Sequence, residues 1–283
     1  MKKLMMVIIA VSAVLGIMTG PAMAEQFKIA IMQDQQGAAA KFKPLLDYLS
    51  KKGIDAAFVA ASNYPAAAQM FATGQVDAMF SGSGIASSMI IKELADPEVR
   101  PVGKDGHSTY WAVVIAPKNA SKFSGSADYF KGKKVIFTAL ASAGEFYFRS
   151  VPGAATSGAQ LLKAASHGAA LDALDKGQAD IAIVKNRVWD KVKDKYPNLI
   201  KVGEDKGENP DNTLIVSKKA DKGTVVKVAS ALLSLKEDTS AEAKTAMDSL
   251  EITGYIKTTS KDFGHTLPML KAAGVTKEFN FVF

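Results

Sequence analysis

Residues 62–78 read SNYPAAAQMFATGQVDA, and residues 165–181 read ASHGAALDALDKGQADI. In both segments a short polar stretch precedes a helix-like run, which is followed by the pattern Gly-Gln-x-Asp and an apolar stretch. The copies lie 103 residues apart, measured from Tyr64 to His167, and the Gly-Gln-x-Asp patterns keep the same offset. An offset that holds at both ends favours two related units over a chance match, and two copies are too few for a solenoid. The repeat therefore predicts two similar lobes.

Around the repeat, short apolar runs alternate with amphipathic segments. Residues 27–32 predict a first strand, and a helix is predicted between Phe42 and Gly53, with Pro44 near its start. Residues 225–233 have the spacing of an amphipathic helix, which begins near Asp221. Alternating strands and helices are typical of α/β architecture, so we expect a mostly parallel sheet flanked by helices in each lobe. Further strands are predicted at 55–60, 76–80, 111–116, 134–138, 179–184 and 213–216.

Two facing α/β lobes predict a ligand cleft between them. Ligands of open α/β sheets bind beyond the carboxyl ends of the strands, near helix N-termini. Helix N-termini offer unpaired N–H groups and a partial positive charge, which favour an anion. By the repeat, Tyr64 and His167 are expected at matching positions on opposite walls of this cleft.

The first 24 residues have the composition of a secretory signal. Lys2 and Lys3 precede an apolar run over residues 4–18, and residues 22–24 match the A-x-A cleavage pattern. The run is shorter than the roughly 20 residues of a membrane-spanning helix, so an uncleaved anchor is the less favoured alternative. We expect cleavage after Ala24 and a soluble, periplasmic mature chain.

Composition narrows the classes of function. The absence of cysteine excludes disulfides, thiolate metal sites and a cysteine nucleophile. The excess of 35 basic over 28 acidic residues is too small to indicate nucleic-acid binding. No nucleotide-binding or nucleophile-elbow pattern occurs, and His107, His167 and His265 lack metal-ligand spacing. We therefore expect a binding protein without cofactor or metal; an exported hydrolase with a convergent catalytic pair is an alternative.

Five short segments carry a family resemblance. They are 63–67 (NYPAA), 76–82 (VDAMFSG), 110–115 (YWAVVI), 129–134 (YFKGKK) and 166–171 (SHGAAL). Together they resemble the periplasmic substrate-binding proteins of phosphate, phosphite and phosphonate ABC transporters, over the whole mature chain. The resemblance implies the two-lobed (type II) periplasmic binding protein fold. It also implies ligand contacts from the positions matching Tyr64, Tyr110 and His167.

The ligand cradle of that family is a Ser-Thr-Ser-Gly turn at a helix N-terminus, and this chain departs from it. The corresponding residues 141–144 read Ala-Ser-Ala-Gly, which leaves the Ser142 hydroxyl and the backbone around Ala143 and Gly144 as candidate contacts. A lost hydrogen bond to a charged ligand costs about 1.5–3 kcal/mol. Glu145 follows directly, where it either repels an anion in the cleft or is a first-turn acid on a solvent face.

Other candidates bear on ligand charge. Residues 81–84 (SGSG) are either a backbone nest for an anion, with Ser81 and Ser83, or a plain strand-to-helix turn. Arg187 and Asn212 match the places where aminophosphonate binders hold acids for the ligand amine, so the resemblance argues against a cationic ligand tail. Arg149 lies near the altered cradle, as a ligand contact or a salt-bridged surface residue.

These patterns predict a periplasmic solute-binding protein. Lobe one is expected at 25–113 plus 217–283, and lobe two at 114–216. Closure of the lobes would bury a small oxyanion, such as phosphate, phosphite or a phosphonate, and present the closed protein to an ABC permease. A module that reports to a membrane histidine kinase is the alternative. The protein is expected to be a monomer.

Overall fold

The computed structural model describes residues 26–32, 39–138 and 142–279. The predicted signal segment, 1–24, and Ala141 of the predicted cradle lie outside the described residues. Within the described ranges, every helix is too short or too polar to span a bilayer.

Thirteen strands and nine α-helices alternate along these residues. The strands are β1 (Phe27–Met32), β2 (Ala56–Ala61), β3 (Ala78–Ser81), β4 (Ala95–Gly103), β5 (Thr109–Tyr110), β6 (Ala112–Pro117), β7 (Lys134–Thr138), β8 (Gln160–Ala164), β9 (Ile181–Lys185), β10 (Leu199–Glu204), β11 (Asn209–Pro210), β12 (Thr213–Ser217) and β13 (Ile252–Lys257). The helices are α1 (Lys43–Lys51), α2 (Tyr64–Ala72), α3 (Ser83–Ile91), α4 (Ala143–Ser150), α5 (His167–Asp175), α6 (Asn186–Val192), α7 (Lys222–Ser234), α8 (Ala241–Leu250) and α9 (Thr266–Ala272).

The strands form two main sheets, one in each lobe. The first has the order β13-β4-β12-β3-β1-β2 and the second the order β10-β6-β9-β7-β8. The two-lobed α/β prediction is confirmed, but the expectation of mostly parallel sheets needs correction. β1, β2 and β3 are parallel, as are β7, β8 and β9, whereas β12, β4 and β13 in one sheet and β6 and β10 in the other pair antiparallel.

The route of the chain between the lobes explains the antiparallel pairs. The parallel strands of each lobe end at the cleft. A strand that enters the lobe from the cleft begins at that edge and therefore runs antiparallel to them. Thus Thr213 at the start of β12 lies opposite Ser81 at the end of β3. Ala112 at the start of β6 lies opposite Lys185 at the end of β9 in the same way.

The sheet membership of two strands bears on the lobe boundaries, which were expected at residues 113 and 217. β6 belongs to the second sheet and β12 to the first, which supports slightly earlier crossings. We propose crossings at Trp111 and at 211–212. The crossing segments pair with each other, because Asn209 of β11 lies opposite Tyr110 of β5. Asn212 has φ +40°, a left-handed conformation that asparagine tolerates better than most residues.

The repeat forms the same helix–strand turn in each lobe. Gly74 and Gly177 follow α2 and α5 with φ of +74° and +70°, where glycine avoids the cost of a side chain. The Asp77 carboxylate accepts the backbone N–H of Lys28 on β1 at 2.8 Å, and the Asp180 carboxylate accepts the N–H of Lys134 on β7 at 2.7 Å. Each aspartate thus joins its helix–strand turn to the neighbouring strand, so the pattern has a structural role.

Apolar side chains cover both faces of each sheet. In the first lobe one cluster surrounds Ile29 and Leu232, and the other surrounds Met79 and Ile85. Phe146 projects from α4 of the second lobe, is fully buried, and belongs to the first-lobe cluster of Met79 and Ile85. The two lobes are therefore in apolar contact.

Replacing Asp77 by alanine is expected to lower the free energy of unfolding by about 1–2 kcal/mol, because a charge-assisted hydrogen bond is lost. Urea denaturation measures this loss. Asp47→Ala is the matched control, since its ion pair with Lys43 is exposed and contributes less than about 1 kcal/mol. Loss of ligand binding without loss of stability in Asp77→Ala would contradict the structural role.

Candidate ligand-binding site

Five helices begin where parallel strands end, namely α2, α3, α4, α5 and α6, and three of them are capped by a side chain. The side-chain oxygens of Asn63, Ser142 and Ser166 accept first-turn N–H groups of α2, α4 and α5. Helices α3 and α6 have Gly82 and Lys185 at their N-caps and no side-chain cap. The N-terminus of α3, the longer of the two, therefore keeps hydrogen-bonding capacity that the three capped helices use internally.

Tyr110 lies next to Trp111, where the chain is proposed to cross between the lobes, and contacts α3. Its side chain is buried, and its hydroxyl lies 2.6 Å from the hydroxyl of Ser83, the first residue of α3. Burial raises the pKa of Tyr110, so the phenol remains protonated at physiological pH. The Tyr110 carbonyl accepts from the Asn209 side chain at 3.2 Å. The structure thus brings the predicted residues Ser83 and Tyr110 together.

Lys185 extends this group into the second lobe. Its ammonium lies 4.3 Å from the centroid of the Tyr110 ring, a cation–π arrangement. Its backbone N–H donates to Nδ1 of His167 at 3.4 Å. Because Nδ1 accepts, the ring proton of the neutral imidazole lies on Nε2, where it is available as a donor.

His167 is neutral at physiological pH. Burial, followed by the charge of Lys185, lowers the pKa of His167 to about 4. The imidazole therefore offers a hydrogen bond to a ligand rather than a positive charge.

Arg187 is held by two carboxylates. Its Nη1 lies 2.8 Å from Asp211 and its Nη2 lies 2.9 Å from Asp105, while the Lys185 ammonium lies 2.5 Å from the other oxygen of Asp211. Arg187 is on α6 of the second lobe and Asp105 follows β4 of the first, so this ion pair joins the lobes. Two cations facing two carboxylates have no net charge, and Arg187 does not present a free cation to a ligand.

The altered cradle at α4 is also engaged internally. The Ser142 hydroxyl donates to the Thr138 carbonyl at 3.1 Å and accepts the N–H of Glu145. A Cβ at Gly144 would lie 2.5 Å from the Ile183 carbonyl, so the adjoining turn at Ala143 is held tightly against β9. Glu145 is 1% exposed, with a carboxylate oxygen 2.9 Å from Nη2 of Arg149. Glu145 is thus buried and paired, so the alternative of a first-turn acid on a solvent face is wrong.

Three further residues from the sequence analysis, Tyr64, Ser81 and Asn212, lie at or near strand ends and helix starts. Tyr64 is the first residue of α2, and its side chain lies outside the described part of the chain. Ser81 ends β3 and is buried, and its hydroxyl has no hydrogen-bond partner. Asn212 lies at the second crossing, next to Asp211.

Sequence reasoning missed several polar residues of the cleft. Lys185, Asp211 and Asp105 organise the charges, and Thr213 is a second buried hydroxyl without a partner. Lys185 ends β9, Asp211 directly follows β11 and Thr213 begins β12, and these positions at strand ends could have drawn attention to them. His265 before α9 also pairs with Asp205 after β10 at 2.8 Å, a further contact between the lobes.

The arrangement is suited to hold a small polar ligand through neutral donors. These are the hydroxyl groups, the imidazole and the first turn of α3, while the nearby charges compensate each other. Over the ranges that the structure describes, His, Asp and Glu side chains form no cluster with the geometry of a metal site.

The low pKa of His167 predicts a pH-dependent stability. An unfolded histidine titrates near 6.5, so the neutral folded imidazole contributes stability that is complete above pH 6.5 and lost as pH falls toward 4. His167→Gln should flatten this part of the decline. Urea denaturation of the wild type and the variant between pH 7 and 4 tests it, with His107→Gln at an exposed histidine as control. Parallel wild-type and His167→Gln curves would contradict the assignment.

The Arg187–Asp105 pair predicts a small bias toward closed lobes. Asp105 is partly exposed, so Asp105→Asn should change the closed population by at most about fivefold. Small-angle scattering of the ligand-free protein should then show a larger radius of gyration. Asp248→Asn, which removes an exposed pair with Lys104 within one lobe, is the control. An unchanged radius in Asp105→Asn would show that this pair does not hold the lobes together.

Comparison with known proteins agrees with this geometry. A sequence model of the periplasmic substrate-binding proteins of phosphonate ABC transporters matches residues 27–263. A search of curated proteins gives no match.

Solved structures share the fold. PhnD1 from Prochlorococcus marinus (MIT 9301), in complex with methylphosphonate, has a TM-score of 0.70 at 18% identity, covering 88% of this chain and 98% of that one. A binding protein component of an ABC phosphonate transporter from Pseudomonas aeruginosa has a TM-score of 0.67 at 15% identity, covering 90% and 89%. A histidine kinase sensor domain with similarity to periplasmic binding proteins has a TM-score of 0.55 at 14% identity, covering 81% and 98%. At these identities the likeness concerns the fold alone.

The family match covers most of the chain, and the fold it implies, two α/β lobes around a polar cleft, is the one described above. The chain therefore belongs to the periplasmic substrate-binding proteins of phosphonate ABC transporters.

Proposed function

We propose that this protein captures a small oxyanion of the phosphate or phosphonate type and delivers it to an ABC permease of the inner membrane. The observation that carries the proposal is the group formed by Ser83, Tyr110 and His167. It draws neutral donors from both lobes to one cleft in a chain of this family.

Closure of the lobes is the proposed mechanism. The paired crossing segments β5 and β11 form a short two-stranded hinge, and Tyr110 of β5 contacts Ser83 of the first lobe and Lys185 of the second. A ligand that hydrogen-bonds both walls binds the closed state more tightly than the open one, and so shifts the population toward closure. The closed form would then dock on the permease.

The charges support a ligand without a cationic tail. A ligand ammonium would require free carboxylates, but Asp211 and Asp105 are occupied by Lys185 and Arg187. Inorganic phosphate, phosphite and methylphosphonate are therefore the proposed ligand class, ahead of aminoalkylphosphonates.

Location and partners follow from the same proposal. The N-terminal signal would be removed after Ala24, and the mature protein would act in the periplasm as a monomer. This chain shares only its fold with the histidine kinase sensor domain, which is weak support for a sensing role. Delivery to a permease is therefore the function proposed here.

A thermal-shift panel on the mature protein tests the ligand class. It contains phosphate, phosphite, methylphosphonate, aminoethylphosphonate, sulfate and arsenate. A ligand at about 100 times its dissociation constant adds about 2.7 kcal/mol, which raises the melting temperature by several degrees. We expect a shift with a small phosphorus oxyanion and a weaker one with aminoethylphosphonate. No shift with any member of the panel would contradict the proposal.

A further inference from the structure

Two buried hydroxyl groups face each other without hydrogen-bond partners. Ser81 and Thr213 are directly opposite in the antiparallel β3–β12 pair, so their side chains lie on the same face of the sheet. Ser81 is 2% exposed and Thr213 is 0% exposed, and neither hydroxyl has a partner. A buried hydroxyl without a partner has lost its hydrogen bonds to water and gained none in return, which is unfavourable, so two such groups at one place indicate a missing acceptor.

Their position in the fold is the cleft edge of the first lobe. Ser81 is the last residue of β3 and Thr213 is the first residue of β12. Ser81 immediately precedes Gly82, the N-cap of α3, which has no side-chain cap. The two hydroxyls therefore lie beside a helix N-terminus that is not capped by a side chain. The seven-residue helix α6 is also uncapped, but its N-cap residue, Lys185, is paired with Asp211.

We propose that the N-terminus of α3, together with Ser81 and Thr213, is the anchoring site for the oxyanion. An oxyanion supplies acceptor oxygens for both hydroxyl donors and for first-turn N–H groups, and the helix dipole favours its negative charge. This inference rests on the proposed function and assigns the main anion contacts to lobe one. The ligand would dock there first, and His167 would reach it when the second lobe closes.

The N-terminus of α4 is a poorer anchor in this chain. Its cap, Ser142, is engaged at both its donor and its acceptor side, and the buried carboxylate of Glu145 lies in its first turn. An anion at α4 would meet this carboxylate, whereas the first turn of α3, residues 83–86, contains no acidic residue.

Ser81→Ala and Thr213→Val test the site by isothermal titration with methylphosphonate and phosphate. Each variant should bind at least about tenfold more weakly than the wild type, because a hydrogen bond to a charged ligand is lost. Both should unfold at the same temperature as the wild type or higher, since an unpartnered buried hydroxyl is removed. Ser87→Ala is the matched control: its hydroxyl is also buried and unpartnered, but it lies in the second turn of α3.

Amide chemical shifts locate the anion directly. On titration of the wild type with methylphosphonate, the amide signals of Ser83 and Gly84 should move more than that of Gly144 on α4. If the wild type binds but both variants match it, or if Gly144 moves and Gly84 does not, the α3 site is wrong while the proposed function stands. If the wild type binds neither probe, both the oxyanion function and this site are overturned.

Discussion

The buried phenol of Tyr110 is the contact on which the cleft depends. It lies on the segment that carries the chain between the lobes, and its burial requires a partner for the hydroxyl. Ser83 supplies that partner from the first lobe, and Lys185 lies over the ring from the second. Because one side chain satisfies contacts on both sides of the crossing, the ends of β3, β9 and β11 are brought to one place.

Charge compensation determines what this place can bind. Lys185 and Arg187 would form a cationic site if they were alone, but Asp211 and Asp105 neutralise them. His167 remains uncharged because burial and the neighbouring ammonium disfavour protonation. What is left for a ligand is a set of hydrogen-bond donors, which complements the acceptor oxygens of the proposed oxyanion.

The strengths and errors of the sequence predictions have physical causes. The repeat predicted two related lobes correctly, because Gly74 and Asp77 carry local requirements that recur at Gly177 and Asp180. β4 was not predicted, since its two prolines are typical of edge strands, yet it is an internal strand. Pro97 lies beside a register shift and Pro101 beyond the residues that pair with β12, where the ladder tolerates a missing donor.

The arrangement of the candidate site was predictable only in part. Ser83 contacts Tyr110, and Lys185 contacts both Tyr110 and His167. Arg187 is held by carboxylates that no local pattern connects to it. Thr213 has no sequence signal of its own, because its importance comes from lying opposite Ser81.

The sequence by itself determined the α/β class, the two related lobes and the helices that begin at the cleft, because periodicity, glycine turns and caps act within a few residues of one another. Only the tertiary structure decided the direction of the crossing strands, the pairing of the charges and which buried hydroxyls lie opposite each other. Those features depend on residues far apart in the chain, such as Asp105 with Arg187 or Ser81 with Thr213. These residues meet only when the sheets are formed.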